Sequence, residues 1–226
     1  MIESLVTIKA LGKTYPAADG QVTNVLSDIN CVIEPGARIA LIGPSGSGKS
    51  TLLHIIGGFI PATAGDVSWP ALGAHQDLLP RKVQAVFQAP SLFPALTVCD
   101  NIALPLLLAG TSAAAGFTPD DLLARFGLSD LALKLPDELS GGQAQRIAML
   151  RALSVSPRLI LADEPTGQLD SKTAQEFLTM VIEVATQTHA ALVIATHDPA
   201  VADRMDRQWS IDHGKLSEDS NKGNPP

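Results

Sequence analysis

The chain has 226 residues, of which 46% are hydrophobic and 17% are charged, and its formal net charge is -7. This composition is typical of a globular protein long enough for one substantial domain, and it excludes wholesale disorder. The acidic balance, with a sequence pI near 5.1, argues against a broad nucleic-acid surface, because such a surface needs clustered Lys and Arg. We therefore expect no nucleic-acid partner.

Two cysteines, Cys31 and Cys99, are too few for a disulfide framework and indicate a reducing compartment. We interpret both as small apolar residues rather than as ligands or nucleophiles. The amino-terminal segment lacks the basic head and apolar stretch of a signal peptide, and the apolar run 102–110 is too short to span a membrane. We expect a soluble chain that reaches a membrane only through a partner.

The first forty residues alternate between apolar and polar positions, which predicts strands, with turn signals at 18–20 and at 35–36. The next pattern predicts, in order, a strand over 38–42, a glycine-rich turn over 43–48 and a helix from 49 to about 57. Strands that alternate with helices in this way indicate a mostly parallel sheet.

The middle of the chain has a different character. A strand is predicted to end at Phe87, and residues 89–155 then carry prolines, alanines and leucines at helical spacing, which predicts a helical insert. After Pro157 the strands return as RLILADE and ALVIATHD, and the pattern between them predicts a helix over 171–188.

The octapeptide GPSGSGKS matches the phosphate-binding pattern G-x-x-x-x-G-K-[ST] in full. Its glycines let backbone N–H groups surround phosphate oxygens, and the following helix N-terminus adds positive potential. Lys49 would reach the β and γ phosphates, and the Ser50 hydroxyl would hold Mg²⁺. The alternative is a Gly/Ser turn with an incidental lysine, which the full match disfavours. The predicted nucleotide contacts in this loop are Gly43, Pro44, Ser45, Gly46, Ser47, Gly48, Lys49, Ser50 and Thr51.

A magnesium nucleotide also needs an acidic group at the end of a neighbouring strand. The apolar run Leu159–Ala162 predicts a buried strand, and Asp163 at its end would complete the metal shell. Glu164 would point the other way and polarise a water in line with the γ phosphate. Alternatively, the two acids only cap the helix behind Pro165, a hypothesis that the glycine-rich loop disfavours.

The segment LSGGQAQR, residues 139–146, places two adjacent glycines in the first turn of a predicted helix, directly behind Ser140. Each glycine costs a helix about 1 kcal/mol relative to alanine, so the pair needs a reason. LSGGQ is the signature of the ATP-binding-cassette (ABC) family, and nearly the whole chain resembles the nucleotide-binding subunit of an ABC transporter.

This resemblance implies that two copies pair head to tail, so that the signature of one faces the γ phosphate in the loop of the other. Ser140, Gly141, Gly142 and Gln143 are then ATP contacts supplied to the opposite copy. The bare glycine backbone can approach a phosphate oxygen closely, and the helix dipole adds attraction. On this interpretation the glycines make little sense without the second copy.

The resemblance implies roles for four further residues. Tyr15 lies where the family stacks an aromatic ring on adenine, although surface or core packing is the alternative for a single aromatic. Gln88 would sense Mg²⁺ and the attacking water, and His197 would reach the γ phosphate. Asp170 would contact the opposite subunit, although Gln168 beside it stands where asparagine or alanine is commoner. Catalysis is therefore expected to use Lys49, Gln88, Glu164 and His197, and the metal to use Ser50, Gln88 and Asp163.

The fold class that the resemblance implies is α/β. It is a P-loop NTPase of RecA-like type with a mostly parallel sheet, an N-terminal antiparallel β subdomain and an inserted α-helical subdomain. One ABC ATPase domain, 1–226, is expected to contain a nucleotide-binding core of residues 1–88 and 156–216. The helical signature subdomain would be 89–155, and 217–226 would be a polar tail.

The function that the resemblance implies is ATP hydrolysis that powers a separate polytopic membrane permease, with ATP and Mg²⁺ as cofactors. The expected location is the cytoplasm, peripherally on the inner face of the cell membrane. Flanking residues are most similar to the branch serving lipoprotein release, macrolide efflux and cell division, and the segment from Gln88 to about Leu108 would dock the permease.

The main alternative is a non-transport ABC ATPase, acting as a soluble scaffold or a cell-division regulator. DNA-repair members are disfavoured because the segment between Gln88 and Ser140 is too short for their coiled coil. A simple P-loop kinase or GTPase explains neither LSGGQ nor His197.

Overall fold

The computed structural model describes residues 3–16, 21–110 and 117–219. Within these residues the strands form two separate sheets. In chain order the strands are β1 (Val6–Pro16), β2 (Val22–Ile33), β3 (Arg38–Ile42), β4 (Ala64–Ser68), β5 (Val83–Val86), β6 (Leu159–Asp163), β7 (Ala191–Ala195), β8 (Arg207–Asp212) and β9 (Lys215–Asp219).

The smaller sheet has the order β2-β1-β4 and is antiparallel throughout. Val6 lies opposite Ile33 and Tyr15 opposite Thr23 in its central pair. The larger sheet has the order β5-β6-β7-β3-β8-β9, and only its edge pair, β8 with β9, is antiparallel. The predicted α/β class, with an N-terminal antiparallel sheet and a mostly parallel one, is confirmed.

The helices lie on both faces of the larger sheet and in the segment that precedes β6. The helix from Lys49 begins after Gly48, which has no capping side chain. The others begin after residues whose side chains cap them, namely Thr97, Thr118, Ser140, Asp170 and Asp198. In chain order the helices are α1 (Lys49–Ile56), α2 (Val98–Leu108), α3 (Pro119–Arg125), α4 (Gly141–Leu153), α5 (Ser171–Gln187) and α6 (Pro199–Ala202). Over 89–110 and 117–155 the chain is helical or irregular, as the sequence predicts.

Strand β6 explains how the two halves of the core are held together. All its residues are buried, and successive side chains point to opposite faces of the sheet. Leu159 and Leu161 join the apolar cluster of β1, β2 and α1, whereas Ile160 and Ala162 join the cluster of α2 to α5. Because both faces of such a parallel strand are covered, its sequence is a nearly continuous run of apolar residues.

The parallel strands bring the predicted site residues to one edge of the sheet. β3 leads into the glycine-rich loop 43–48, and β5 leads into Gln88. β6 ends at Asp163, and β7 is followed by Thr196 and His197. Ligands in open α/β sheets bind outside the carboxyl ends of the strands, and all of these groups lie there.

The prediction of a polar tail from residue 217 is wrong for its first three residues. β9 runs from Lys215 to Asp219 and pairs with β8, with Leu216 opposite Ile211. Leu216 is partly buried against the core, which gives this polar segment its anchor. The remainder of the predicted tail, 220–226, lies outside the described residues.

Over residues 3–16, 21–110 and 117–219, no helix combines the length and the apolar character that crossing a bilayer requires.

Candidate nucleotide-binding and catalytic site

A polar cleft of about 720 Å³ lies at the carboxyl edge of the larger sheet. It brings together most of the residues predicted from the glycine-rich loop and from the ends of β5, β6 and β7. Its lining consists of Val25, Gly43, Pro44, Ser45, Gly46, Gly48, Lys49, Ser50, Thr51, Gln88, Gln145, Asp163, Glu164, Gly167, Gln168 and His197. Ser47, also predicted as a nucleotide contact, has a buried side chain and is not part of the lining.

The glycine-rich loop requires glycine at two of its positions for steric reasons. Gly43 has φ +152°, and a Cβ there would lie 2.2 Å from the Ile211 carbonyl oxygen. Gly48 has φ +109° and immediately precedes α1, where a Cβ would meet the Leu26 side chain at 2.8 Å. The loop therefore turns tightly under α1, and the first N–H groups of that helix face the cleft as an anion site.

Lys49 lies at the start of α1 and folds back over the loop. Its Nζ donates to the carbonyl oxygens of Gly43 at 2.8 Å and Pro44 at 3.0 Å. Phosphate oxygens would be stronger acceptors than these neutral carbonyls, because hydrogen bonds between ionised groups are about twice as strong. The Lys49 ammonium therefore lies at the edge of the cleft, where it could contact a bound triphosphate.

The residues present fit a magnesium ion bound together with a nucleotide. Ser50, Gln88 and Asp163 all line the cleft and offer the hard oxygen donors that Mg²⁺ prefers. Within the described residues no group of three or more His, Cys, Asp or Glu side chains could hold a metal alone. Mg²⁺ bound with a nucleotide takes one or two protein ligands together with substrate phosphates.

Glu164, directly after β6, is held from several directions. Its backbone adopts φ +49°, an uncommon conformation for a residue with a side chain. Its N–H donates to the Ala195 carbonyl at 2.9 Å, and its own carbonyl accepts from Gly167 N–H at 3.1 Å. Gln145 Nε2 donates to that same carbonyl at 2.7 Å. The surrounding chain thus fixes the direction in which the carboxylate leaves the backbone.

The Glu164 carboxylate contacts the two residues that follow β7. Its Oε1 lies 2.7 Å from His197 Nδ1, and its Oε2 accepts from Thr196 Oγ1 at 3.4 Å. The hydrogen bond and the negative charge of Glu164 raise the pKa of His197 above its usual 6.5. The two predicted catalytic residues therefore form an ion pair when the imidazole is protonated.

We expect the substitution Glu164→Gln to lower the pKa of His197 toward its ordinary value, because the neutral amide removes both causes of the shift. The pair stabilises the fold below the ordinary pKa of histidine, and this contribution is lost as the pH rises through the raised value. NMR titration of the His197 imidazole measures the change. The variant Glu176→Gln, at an exposed position on α5, should leave the titration unaltered, and an identical titration in Glu164→Gln would contradict the assignment.

The signature segment lies outside the cleft of its own chain, since Ser140 to Gln143 do not line it. α4 begins at Gly141 behind a reciprocal cap: Gln143 N–H donates to Ser140 Oγ at 3.2 Å, and Ser140 N–H donates to Gln143 Oε1 at 2.9 Å. The cap satisfies the N–H groups of Ser140 and Gln143. Gly141 and Gly142 lie between these residues and have no side chains that could cover the helix N-terminus.

One of the two glycines, Gly142, also has a reason within the single chain. A Cβ on Gly142 would lie 2.9 Å from the Gln168 carbonyl oxygen and 2.8 Å from the Leu169 side chain. A Cβ on Gly141 would lie 2.0 Å from Oε1 of Gln168. The interpretation that the pair makes little sense without a second copy is therefore wrong. The backbone around Gln168 requires at least Gly142.

Tyr15 and Asp170 lie away from the cleft lining. Tyr15 is a partly exposed residue of β1, and the ammonium of Lys13 lies 4.9 Å from the centre of its ring. Asp170 caps α5 by accepting from Thr173 N–H at 3.1 Å, and hydrogen bonds to Thr173 lower the pKa of its carboxyl. Both side chains remain accessible for the contacts that the resemblance implies.

Sequence reasoning missed two residues that contact Glu164. Gln145 belongs to the segment LSGGQAQR, but no spacing rule linked it to a residue on β6. Thr196 directly precedes the predicted His197, and its hydroxyl, completely buried, could have been suspected from its place at the end of a buried strand.

The strand-loop-helix phosphate site, the acidic strand end and the histidine beyond the next strand define a P-loop nucleoside triphosphatase. A family model described as "ABC transporter" matches residues 26–167 of the chain. The chain therefore belongs to the ABC transporter family, as an ATP-binding subunit that hydrolyses ATP.

Named relatives cover nearly the whole chain. The lipoprotein-releasing system ATP-binding protein LolD of Shewanella sp. (strain MR-4) is 39% identical over 96% of this chain and 96% of its own length. LolD of Legionella pneumophila (strain Lens) is 40% identical over 96% of this chain and 98% of its own. An uncharacterized ABC transporter ATP-binding protein of Mycobacterium tuberculosis (strain ATCC 25618 / H37Rv), Rv0986, is 42% identical over 98% and 92%.

Solved structures agree with the fold. The dimeric post-hydrolysis state of the ATP-binding cassette MJ0796, bound to ADP and Pi, superposes with a TM-score of 0.86 at 32% identity. It covers 97% of this chain and 100% of that one. A second dimeric structure of MJ0796 gives a TM-score of 0.85 at 31% identity.

Proposed function

We propose that two copies of this chain close around two Mg²⁺–ATP molecules and thereby drive a separate membrane permease. One observation carries the proposal: Ser140, Gly141 and Gly142 stand outside the cleft that gathers the other phosphate-binding groups. A head-to-tail second copy would supply the missing helix N-terminus to each cleft. The similar MJ0796 cassette is dimeric in both solved structures, which supports a pair of copies. Mixing two chains that are inactivated at opposite sides of the interface tests this arrangement directly.

In the proposed reaction the loop holds the triphosphate through backbone N–H groups, the N-terminus of α1 and Lys49. Glu164 takes a proton from the attacking water as general base, and its fixed backbone keeps the carboxylate aimed. His197 releases Glu164 and orients the γ phosphate. Ser50, Gln88 and Asp163 would hold Mg²⁺, which would supply positive charge for the phosphate oxygens, and Gln88 would also contact the attacking water.

A second surface suits the membrane subunit. An apolar groove of about 280 Å³ lies beside the segment that follows Gln88. Phe93 and Leu108 line it and are largely exposed. Arg151 on α4 reaches the same groove and donates to the Ser91 carbonyl at 2.6 Å. The groove coincides with the docking segment that the sequence indicates, and we propose that a segment of the permease packs there.

A charged side chain in this groove should uncouple the ATPase activity of the chain from the permease. We expect Phe93→Asp to leave the ATPase activity of the isolated chain intact and to lower permease-stimulated activity at least about tenfold, because it places a carboxylate in an apolar contact. Reconstitution with the membrane protein that co-purifies with the chain measures both activities.

Leu133→Asp is the matched control, because Leu133 is 86% exposed and lies outside the groove. It should retain stimulation. Loss of basal and stimulated activity together in Phe93→Asp would show that the groove serves the fold or the cleft instead.

The permease places the chain at the inner face of the cell membrane in this proposal. We propose that residues 89–155 form the helical subdomain that contacts the permease. We also propose that the other residues that the structure describes form the nucleotide-binding core. The resemblance to LolD favours a permease of the lipoprotein-release branch. Co-purification from native membranes tests this: recovery without any polytopic protein would favour a scaffold or a cell-division regulator.

A further inference from the structure

A buried amide joins the signature helix to the backbone of Glu164. Gln145 lies on α4 and is 1% exposed. Its Nε2 donates to the Glu164 carbonyl oxygen at 2.7 Å, across a sequence separation of 19 residues. Its Oε1 is buried, and within the described part of the chain it has no hydrogen-bond partner. A buried acceptor without a partner destabilises the fold, so packing alone would favour Leu or Met at this position.

The bond acts on a backbone that needs support. Glu164 has φ +49°, and a residue with a side chain stays in this region only where the surroundings hold it. Two backbone hydrogen bonds hold it at the end of the sheet. The Glu164 N–H donates to the Ala195 carbonyl, and the Gly167 N–H donates to the Glu164 carbonyl. The bond from Gln145 is different, because its donor lies on α4, in the helical segment.

We propose that Gln145 is a positioning residue that ties the Glu164 carboxylate to the signature helix. The proposal rests on the assignment of Glu164 as the general base. The helix that carries Gln145 begins at Gly141, where the opposite copy's nucleotide would bind, and Arg151 links its far end to Ser91 in the docking groove. A small shift of α4 is therefore transmitted to the base through one hydrogen bond.

The substitution Gln145→Met tests the proposal, because methionine keeps the length and apolar bulk of the side chain but donates no hydrogen bond. We expect kcat for ATP to fall about ten- to hundredfold, as misplacement of a catalytic group by about 1 Å does. KM should change less than about twofold, because no phosphate contact is altered. The midpoint of thermal unfolding should stay within about 4 °C, since the variant also removes the unpaired buried oxygen.

Ser154→Ala is the matched control, at the residue that directly follows α4. Ser154 is completely buried, and its Oγ donates to the Arg151 carbonyl at 2.9 Å, so this variant also removes a buried hydrogen bond. It should keep kcat within about twofold of the parent. An unchanged kcat in Gln145→Met, or an equal loss in both variants, overturns the proposal.

The double variant Gln145→Met with Glu164→Gln separates positioning from a damaged fold. If Gln145 acts only through the carboxylate, the double variant should hydrolyse ATP no more slowly than Glu164→Gln alone and should accumulate the same ATP-bound dimer. Failure to form that dimer would assign the loss to the fold and overturn the proposal. Normal hydrolysis by Glu164→Gln alone would instead overturn the base assignment, so the two failures are distinguishable.

Discussion

ATP turnover is expected to fall by about 10²- to 10⁴-fold when Glu164 is replaced by Gln, the range that general-base catalysis contributes. The amide has the same shape as the carboxylate and can still meet Thr196 and His197, but it cannot take the proton from water. ATP binding should persist, because the loop and Lys49 are untouched. Release of inorganic phosphate under saturating ATP measures turnover, and fluorescence of a nucleotide analogue measures binding.

The same variant should reveal the dimer. If hydrolysis normally reopens the interface, a chain that binds ATP without hydrolysing it accumulates in the closed form. Light scattering should show a mass near twice that of the monomer with ATP and Mg²⁺, and the monomer with ADP. Glu176→Gln, on the exposed side of α5, should turn over ATP at the parental rate. Turnover at that rate by Glu164→Gln would show that another group is the base.

Local chemistry explains why the phosphate site was predictable from the sequence. The loop 43–50 is continuous in the chain, and its chemistry depends on backbone N–H groups that only glycines can turn inward. Asp163 and Glu164 follow a fully buried strand, whose apolar run is a strong signal. The helices α1 and α5 lie within one residue of their predicted ends, because glycine residues and a capping aspartate mark those ends.

The sequence did not predict the strands β4, β8 and β9, and two of these, β4 and β9, are weakly patterned. β4 runs over AGDVS, has only one partly buried residue, Val67, and pairs with a single neighbour in its sheet. In β9, Leu216 packs against the core among mostly polar residues, and Glu218 pairs with Arg207 of β8 at 3.0 Å. β4 pairs with β1, which is distant in sequence, and β9 pairs with β8 directly before it, so packing against a neighbour decides the structure of each strand more than its own pattern does.

Contacts between distant segments explain what was missed in the site. Gly142 is constrained by the Gln168 carbonyl, and Gln145 bonds the Glu164 carbonyl, each across a stretch of chain that no motif spans. The LSGGQ motif alone suggests an anion site for the glycines. The structure adds that the same turn must fit against the segment that follows β6. Signature and base are thus parts of one packed unit within each chain.

Complementation in trans is the second large expected effect, and it tests the composite site. Lys49→Ala should inactivate the loop, and Gly141→Asp should inactivate the signature, because its carboxylate would repel the γ phosphate. The aspartate should not harm the fold: acidic residues stabilise helix N-termini by about 0.3–1 kcal/mol, and its Cβ would displace only the flexible end of Gln168. Each variant alone should retain at most about 1% of the parental rate, the size of loss seen when a transition-state contact is removed.

An equal mixture of the two variants should recover activity, because a mixed dimer joins the intact loop of one chain to the intact signature of the other. Random exchange restores about a quarter of the complete sites, since half of the dimers are mixed and each has one complete site. A mixture of Gly141→Asp with Ser140→Asp, which keeps a helix cap but shares the signature lesion, should stay inactive. Absence of recovery from the first mixture would mean that each chain completes its own site, which the outward position of Gly141 argues against. Recovery in the second mixture would show that mixing restores activity without an intact signature, and it would remove the support that the first mixture gives to a shared site.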